Sequence, residues 1–186
     1  DAVTAYTKAV ENNPQFAAAY RNRGIAYTNL GKHNQAILDY NKAIKINPKQ
    51  AAAYNNRGTA YGNLGKFSQA ISDFNKAIQL YPQDAEAHYN RGLSYEQLGN
   101  YNQAIKNYNK SIEINPNHSN AYNNLGVAYY KLGNFNQAII SFNEAIKINP
   151  QDAETHYNKG LSYLSLENYQ QAILDFNEAI KINPQL

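Results

Sequence analysis

The sequence predicts an all-α solenoid built from short helix-turn-helix repeats, and three observations carry this prediction. The six prolines lie 34 residues apart along the 186-residue chain, and such regular spacing indicates a repeat array. Apolar residues in each interval recur at helical spacing in two blocks. A glycine separates the two blocks in four of the repeats. We therefore expect each interval to form two antiparallel helices joined by a tight turn.

The proline register divides the chain into one partial repeat and five complete repeats. Residues 1–16 are expected to form the second helix of a truncated repeat. The complete repeats are 17–50, 51–84, 85–118, 119–152 and 153–186. Because stacked repeats share one core, we expect them to form one continuous solenoid domain. The chain contains no methionine, so we expect it to be a processed chain or a fragment.

Residues at fixed offsets indicate how each hairpin forms. Gly65 follows the last apolar residue of its first helix, where a C-cap takes a positive φ, whereas Glu167 occupies this offset in the last repeat. Proline disfavours helical geometry in the residue before it, so the second helices are expected to end before the prolines. A glycine column inside the first helices is expected to allow close packing of an aromatic column in the second helices. The glycines are Gly24, Gly58, Gly92, Gly126 and Gly160, and the aromatic residues are Tyr40, Phe74, Tyr108, Phe142 and Phe176.

Composition and motifs argue against several classes of function. The chain has no cysteine, which excludes disulfides, thiolate metal sites and cysteine nucleophiles. Its net charge of +3 is too small to indicate a nucleic-acid partner, and no apolar run is long enough for membrane insertion. His88 and His156 lie 68 residues apart at an aromatic packing offset. We find no nucleophile paired with a base and no phosphate-binding loop, so we expect no catalytic residue, metal or cofactor.

The repeat 51–84 carries the fullest set of signature residues: Tyr54, Gly58, Tyr61, Gly65, Ala70, Phe74, Ala77 and Pro82. This 34-residue pattern resembles the tetratricopeptide repeat family, and the resemblance covers the whole chain. It implies a right-handed superhelical solenoid whose first helices line a concave groove. It also implies a non-catalytic protein-protein interaction scaffold that binds segments of partner proteins. A cytoplasmic location is the matching expectation.

An asparagine column in the first helices is the main candidate for binding. It lies two residues before the internal glycine and consists of Asn22, Asn56, Asn90, Asn124 and Asn158; we call it the asparagine ladder. A side-chain amide both donates and accepts, so a row of amides suits the N–H and C=O groups of an extended peptide. The alternative is that these asparagines form hydrogen bonds within or between helices and only stabilise stacking.

The family resemblance also places a second, more varied column in the groove. Its members are Arg21, Asn55, Tyr89, Asn123 and Tyr157. Tyr89 and Tyr157, with Leu93 and Leu161, are expected to give some selectivity for partner side chains. The same resemblance places Lys131 and Glu154 on the groove surface.

A basic column follows the ladder and consists of Arg23, Arg57, Arg91 and Lys159, with Leu125 interrupting it in the fourth complete repeat. Its position beside the internal glycine favours a structural role over nucleic-acid binding. We expect the long side-chain stems to pack between hairpins and the charged heads to lie at the rim.

The two ends of the array suggest other functions. Tyr6, Val10 and Phe16 belong to a lone second helix, and no helix follows Pro184 before the chain stops at Leu186. We expect apolar end faces to be uncovered, which would allow a homo-oligomer to form. The alternatives to a peptide-binding scaffold are therefore a self-assembly scaffold or the substrate-recruiting arm of a larger enzyme.

Overall fold

The structure, a computed structural model, describes residues 2–185 and contains eleven α-helices and no strand in that range. The predicted fold class, an all-α repeat solenoid, is confirmed. Residues 1 and 186 lie outside the described part, so the expectation for Leu186 is not addressed. The helices are α1 (Ala2–Asn12), α2 (Ala17–Asn29), α3 (His33–Ile46), α4 (Ala51–Asn63), α5 (Phe67–Leu80), α6 (Ala85–Gln97), α7 (Tyr101–Ile114), α8 (Ser119–Lys131), α9 (Phe135–Ile148), α10 (Ala153–Ser165) and α11 (Tyr169–Ile182).

The chain divides into two compact units, described over residues 2–94 and 95–185, with the boundary inside α6. In the first unit, α2 packs on α3 and α4 on α5, while α1 contacts α2 and α3 contacts α4. In the second unit, α8 packs on α9 and α10 on α11, while α7 contacts α8 and α9 contacts α10. Each unit therefore contains hairpins stacked on their neighbours. The repeat boundaries and the single continuous domain inferred from the sequence stay predictions.

The turn inside each hairpin is a Schellman C-cap. At the end of α4, Gly65 has φ 70°, and the Lys66 N–H donates to the Tyr61 carbonyl at 2.9 Å. The same bond pattern ends α10, where Glu167 takes the glycine position with φ 58°. A side chain in this left-handed region is strained, because Cβ approaches the following carbonyl oxygen. The sequence predicts this turn at the glycines, and the last hairpin keeps it without one.

The internal glycines allow the two helices of a hairpin to approach closely. A Cβ placed on Gly58 would lie 2.8 Å from Cε1 of Phe74, and one placed on Gly126 would lie 2.5 Å from Cε1 of Phe142. Both distances are too short for real Cβ contacts, so the ring occupies the space of the missing side chain. The predicted packing of small against aromatic residues is confirmed for these hairpins.

Each tyrosine in the aromatic column has a polar partner on the preceding helix. The hydroxyl groups of Tyr40 and Thr28 lie 3.1 Å apart, and the Tyr108 hydroxyl donates to Glu96 Oε2 at 2.5 Å. Both tyrosine side chains are fully buried, so an unpaired hydroxyl there would be costly. A phenylalanine in this column has no hydroxyl group and needs no such partner. In those repeats, the first-helix offset of Thr28 and Glu96 is occupied by Gly62, Tyr130 or Leu164.

Ion pairs join the first and second helices of three hairpins. Arg57 donates to both carboxylate oxygens of Asp73, which is 5% exposed, and also to Asn41 Oδ1 at 2.6 Å on the preceding second helix. Arg23 pairs with Asp39 at 2.7 Å, and Lys159 pairs with Asp175 at 2.8 Å. The expectation that these charged heads lie at the rim is wrong, because buried aspartates hold them inside the hairpins. These ion pairs agree with the expected structural role of the basic column.

Candidate functional site

The asparagine ladder runs along the first helices, and in the first unit two of its three members have unoccupied amides. Asn22, Asn56 and Asn90 lie on α2, α4 and α6, and all three side chains are partly buried. Asn22 Oδ1 accepts from Arg21 Nη2 at 3.2 Å. Within residues 2–94, the side chains of Asn56 and Asn90 have no hydrogen-bond partner. These two amides are therefore available to a ligand.

In the second unit, the ladder is bridged by a residue of the neighbouring column. Asn123 Nδ2 donates to Asn124 Oδ1 at 3.4 Å, and Asn158 Nδ2 donates to Asn123 Oδ1 at 3.5 Å. Asn123 is only 7% exposed, so it joins α8 to α10 below the surface. Both distances are long for hydrogen bonds and indicate weak bonds. This bridge is the inter-repeat contact that the stacking alternative requires, so a binding role for this part of the ladder stays a prediction.

The members of the second predicted column differ in residue type, and they also differ in burial and in contacts. Arg21 and Tyr89 are partly buried, and Tyr157 is 40% exposed with its ring centroid 5.6 Å from that of Phe176. Asn55 Oδ1 is buried without a hydrogen-bond partner. A buried carbonyl oxygen in this state favours a ligand or water that donates to it. Groove roles for this column stay predictions.

Two small pockets lie beside ladder residues, one in each unit. The pocket in the first unit, about 290 Å³ in volume, is lined by α1 and α2, including Tyr6, Asn22 and Ile25. The pocket in the second unit, about 170 Å³, includes Asn158 and Leu161 of α10. In both cases a ladder amide lies next to an aliphatic side chain three positions later, one helical turn away. Sequence reasoning placed the ladder residues and Leu161 in the groove but missed that they line pockets.

The second pocket, which we call the α8–α10 pocket, also brings together charges from two repeats. Lys131 lies in the last turn of α8 and Glu154 in the first turn of α10, and both are exposed. The two side chains line the same pocket but form no ion pair with each other within residues 95–185. The pocket therefore presents a positive and a negative group at once.

Two of the four histidines are packing residues. His88 and His156 are buried, and each has Nε2 at 3.1 Å from a proline carbonyl oxygen, that of Pro82 or Pro150. His156 Nδ1 also lies 3.6 Å from Asp175. No group of three His, Asp or Glu side chains in residues 2–185 is arranged to hold a metal ion. Over the same range, each helix is too short or too polar to cross a membrane.

The last hairpin has a second exposed surface, which is apolar. Tyr169 and Ile173 are each 58% exposed and Ile180 is 49% exposed, all on α11. The corresponding Ile139 on α9 is only 8% exposed. At the other end, Val10 is 7% exposed, so the expectation of an uncovered face is wrong for this residue, which packs inward from α1.

Comparisons with known proteins agree with the repeat geometry. Two family models described as tetratricopeptide repeat match the chain, one at residues 83–151 and the other at 17–50, 51–84 and 153–186. The crystal structure of YrrB, "a TPR protein with an unusual peptide-binding site", has a TM-score of 0.80 and 26% identity, covering 97% of this chain and 93% of that chain. A comparison with curated proteins gave no significant match.

Two MamA structures are also similar. A crystal structure of MamA has a TM-score of 0.82 and 25% identity, covering 87% of this chain and 95% of that chain. MamA from Desulfovibrio magneticus RS-1 has a TM-score of 0.84 and 21% identity, covering 91% and 96%, and this likeness concerns the fold alone. The chain has the fold of protein-protein interaction scaffolds and belongs to the tetratricopeptide repeat family.

Proposed function

We propose that the chain is a non-catalytic scaffold that binds an extended peptide segment of a partner protein, with the asparagine ladder holding the peptide backbone. The observation that carries this proposal is the state of Asn56 and Asn90, whose partly buried amides have no hydrogen-bond partner within residues 2–94. A peptide backbone would supply the acceptors and donors that these amides lack. The peptide-binding site named for YrrB, at 26% identity, supports the same proposal.

The sequence of the two columns supports backbone recognition. The ladder has asparagine in all five complete repeats, whereas the neighbouring column changes between arginine, asparagine and tyrosine. An extended backbone presents the same N–H and C=O groups along its length, and only its side chains differ. A uniform column therefore suits the backbone of a partner, and a varied column suits its side chains.

Panning a random peptide library tests this proposal. We would compare the wild-type chain with the double variant N56A/N90A, and we expect peptides selected on the wild type to lose binding to the variant. Asn102 and Asn136, which are exposed at the starts of α7 and α9, provide the matched control N102A/N136A. Selected peptides that bind all three proteins equally would contradict a role for the ladder, provided that the unfolding midpoints agree.

The exposed apolar residues of α11 favour a second candidate function, assembly between copies of the chain. Tyr169, Ile173 and Ile180 present apolar surface that the neighbouring repeat keeps covered at Ile139. Burying such surface between copies would release water from it. Light scattering at increasing concentration tests this candidate: the wild type should form oligomers that I173E reduces to monomers. A wild type that stays monomeric at high concentration would remove the candidate.

A further inference from the structure

The α8–α10 pocket combines an aliphatic lining with two charged residues, one from the last turn of α8 and one from the first turn of α10. Val127 on α8 and Leu161 on α10 are partly buried, and the fully buried Phe142 on α9 closes the floor. Lys131 and Glu154 are the charged residues on its lining. Asn158, a ladder residue, lies in the same lining, which connects the pocket to the proposed path of a peptide backbone.

The size of the pocket limits what it can bind. Its volume is about 170 Å³, whereas pockets for drug-sized ligands measure about 300–1,000 Å³. A water molecule occupies about 30 Å³ in the liquid, so the pocket has room for a handful of waters or for one side chain. Val127 and Leu161 gain from contact with an apolar group and gain nothing from water. An aliphatic side chain is the occupant that fits both the volume and the lining.

The charges of the pocket specify what should flank that side chain. Lys131 and Glu154 are exposed, and neither forms an ion pair within residues 95–185. The Lys131 charge acts on the buried Glu96 without an ion pair, so both charged groups can still form an ion pair with a partner. A peptide with one sign of charge on both sides of its aliphatic residue would meet attraction at one end and repulsion at the other. A peptide with opposite charges on the two sides meets attraction at both ends.

We propose that the α8–α10 pocket binds an aliphatic side chain of the partner peptide that is flanked by an acidic residue on the Lys131 side and a basic residue on the Glu154 side. This inference rests on the proposed function, because it assigns a sequence preference to a peptide that the ladder holds. It goes beyond that function by naming the anchor residue and the charge order around it.

A charge-exchange experiment tests the inference. The double variant K131E/E154K keeps the net charge and the aliphatic interior but reverses the charges at the two ends. Random peptide libraries would be panned on the wild type, on K131E/E154K and on the control K147E/E144K, which exchanges an exposed ion pair on α9. A further variant, L161A, removes part of the aliphatic wall.

We expect the wild type and the control to select peptides with one aliphatic position between an acidic and a basic residue, and K131E/E154K to select the reversed order. A peptide from the wild-type selection should bind K131E/E154K at least about tenfold more weakly, as expected for the loss of about 1.4 kcal/mol. Its charge-reversed form should recover binding to the variant. L161A should weaken both peptides while its unfolding midpoint shows that it is folded.

Other results would overturn the inference. If K131E/E154K selects peptides with the same charge order as the wild type, or if the selected peptides have no aliphatic position, the pocket does not determine the peptide sequence. If those peptides still lose binding to N56A/N90A, the proposed function stands and only the pocket assignment fails. If the libraries yield no peptide that depends on the ladder, both the function and the inference fail.

Discussion

Arg57 holds Asp73 through two parallel hydrogen bonds, from Nε at 2.7 Å and from Nη2 at 2.6 Å, and so ties the two helices of one hairpin together. The bond to Asp73 raises the pKa of Arg57, which keeps the guanidinium charged. The hairpin formed by α8 and α9 has an uncharged pair at the same two positions. There, Leu125 and Ser141 occupy the two positions, and both are buried. The array therefore contains its own comparison between a charged and an uncharged pair.

Removing one partner of the pair should be more harmful than replacing both. Asp73→Ala leaves Arg57 partly buried without its counter-ion, and we expect a loss of about 3 kcal/mol in the free energy of unfolding. The double variant R57L/D73S copies the pair at Leu125 and Ser141 and should recover at least half of this loss. Urea unfolding followed by circular dichroism measures both changes. A double variant as unstable as the single one would contradict the account.

Glu167 provides a test of backbone strain at the last turn. Its φ of 58° matches the 76° of Gly133 one repeat earlier, although only Gly133 lacks a Cβ. Glu167→Gly should therefore increase the free energy of unfolding by about 1 kcal/mol, because it removes the left-handed strain. The reciprocal change, Gly133→Glu, should destabilise by a similar amount. Thermal unfolding of the two variants decides the matter, and a drop in midpoint for Glu167→Gly would show that the turn is not strained.

Glu96 should make part of the stability depend on pH. Burial raises its pKa above the ordinary 4.5, against the opposing effects of the Tyr108 hydrogen bond and the Lys131 charge. The folded chain therefore holds this proton more tightly than the unfolded chain. The resulting stabilisation is fully present below pH 4.5 and is lost as the pH rises through the folded pKa.

The variant E96Q isolates this effect, because glutamine does not titrate but keeps an acceptor for Tyr108. We expect the stability of the wild type relative to E96Q to be greater at about pH 4 than at about pH 7. Urea unfolding at both pH values gives the two differences. A relative stability that does not change, or that falls on acidification, would contradict the assigned pKa direction.

The repeat geometry could be read from the sequence because each determinant is local. Proline spacing, the helical spacing of apolar residues and the glycine offsets each act within a few residues of chain, so they predicted the hairpins and the contact of Gly58 with Phe74. The left-handed turn at Glu167 was harder to predict from the sequence. Backbone hydrogen bonds of the neighbouring residues impose a conformation that glutamate itself disfavours. A substitution that breaks a pattern does not always break the structure.

The ion pairs and the pockets depend on side chains that are distant in sequence. Arg57 and Asp73 are 16 residues apart, and the contact could have been predicted only from the joint change to Leu125 and Ser141 at the same two positions. The bridge through Asn123 depends on side-chain orientation, which no repeat pattern encodes. The same applies to the meeting of Lys131, Glu154 and Leu161 in one pocket. The family offsets placed these residues on a surface but not in contact.

The central claim is that the ladder binds a peptide backbone, and one measurement tests it most directly: the calorimetric affinity of a selected peptide for the wild type and for N56A/N90A. Each lost hydrogen bond is worth about 0.5–1.5 kcal/mol, so the loss of one bond from each of the two amides should weaken binding by about 5- to 150-fold. Because neither side chain has a hydrogen-bond partner within residues 2–94, and alanine is the better helix former, the unfolding midpoint should not fall. Equal affinity for both proteins, or a variant that is destabilised, would contradict the account and make the asparagines structural.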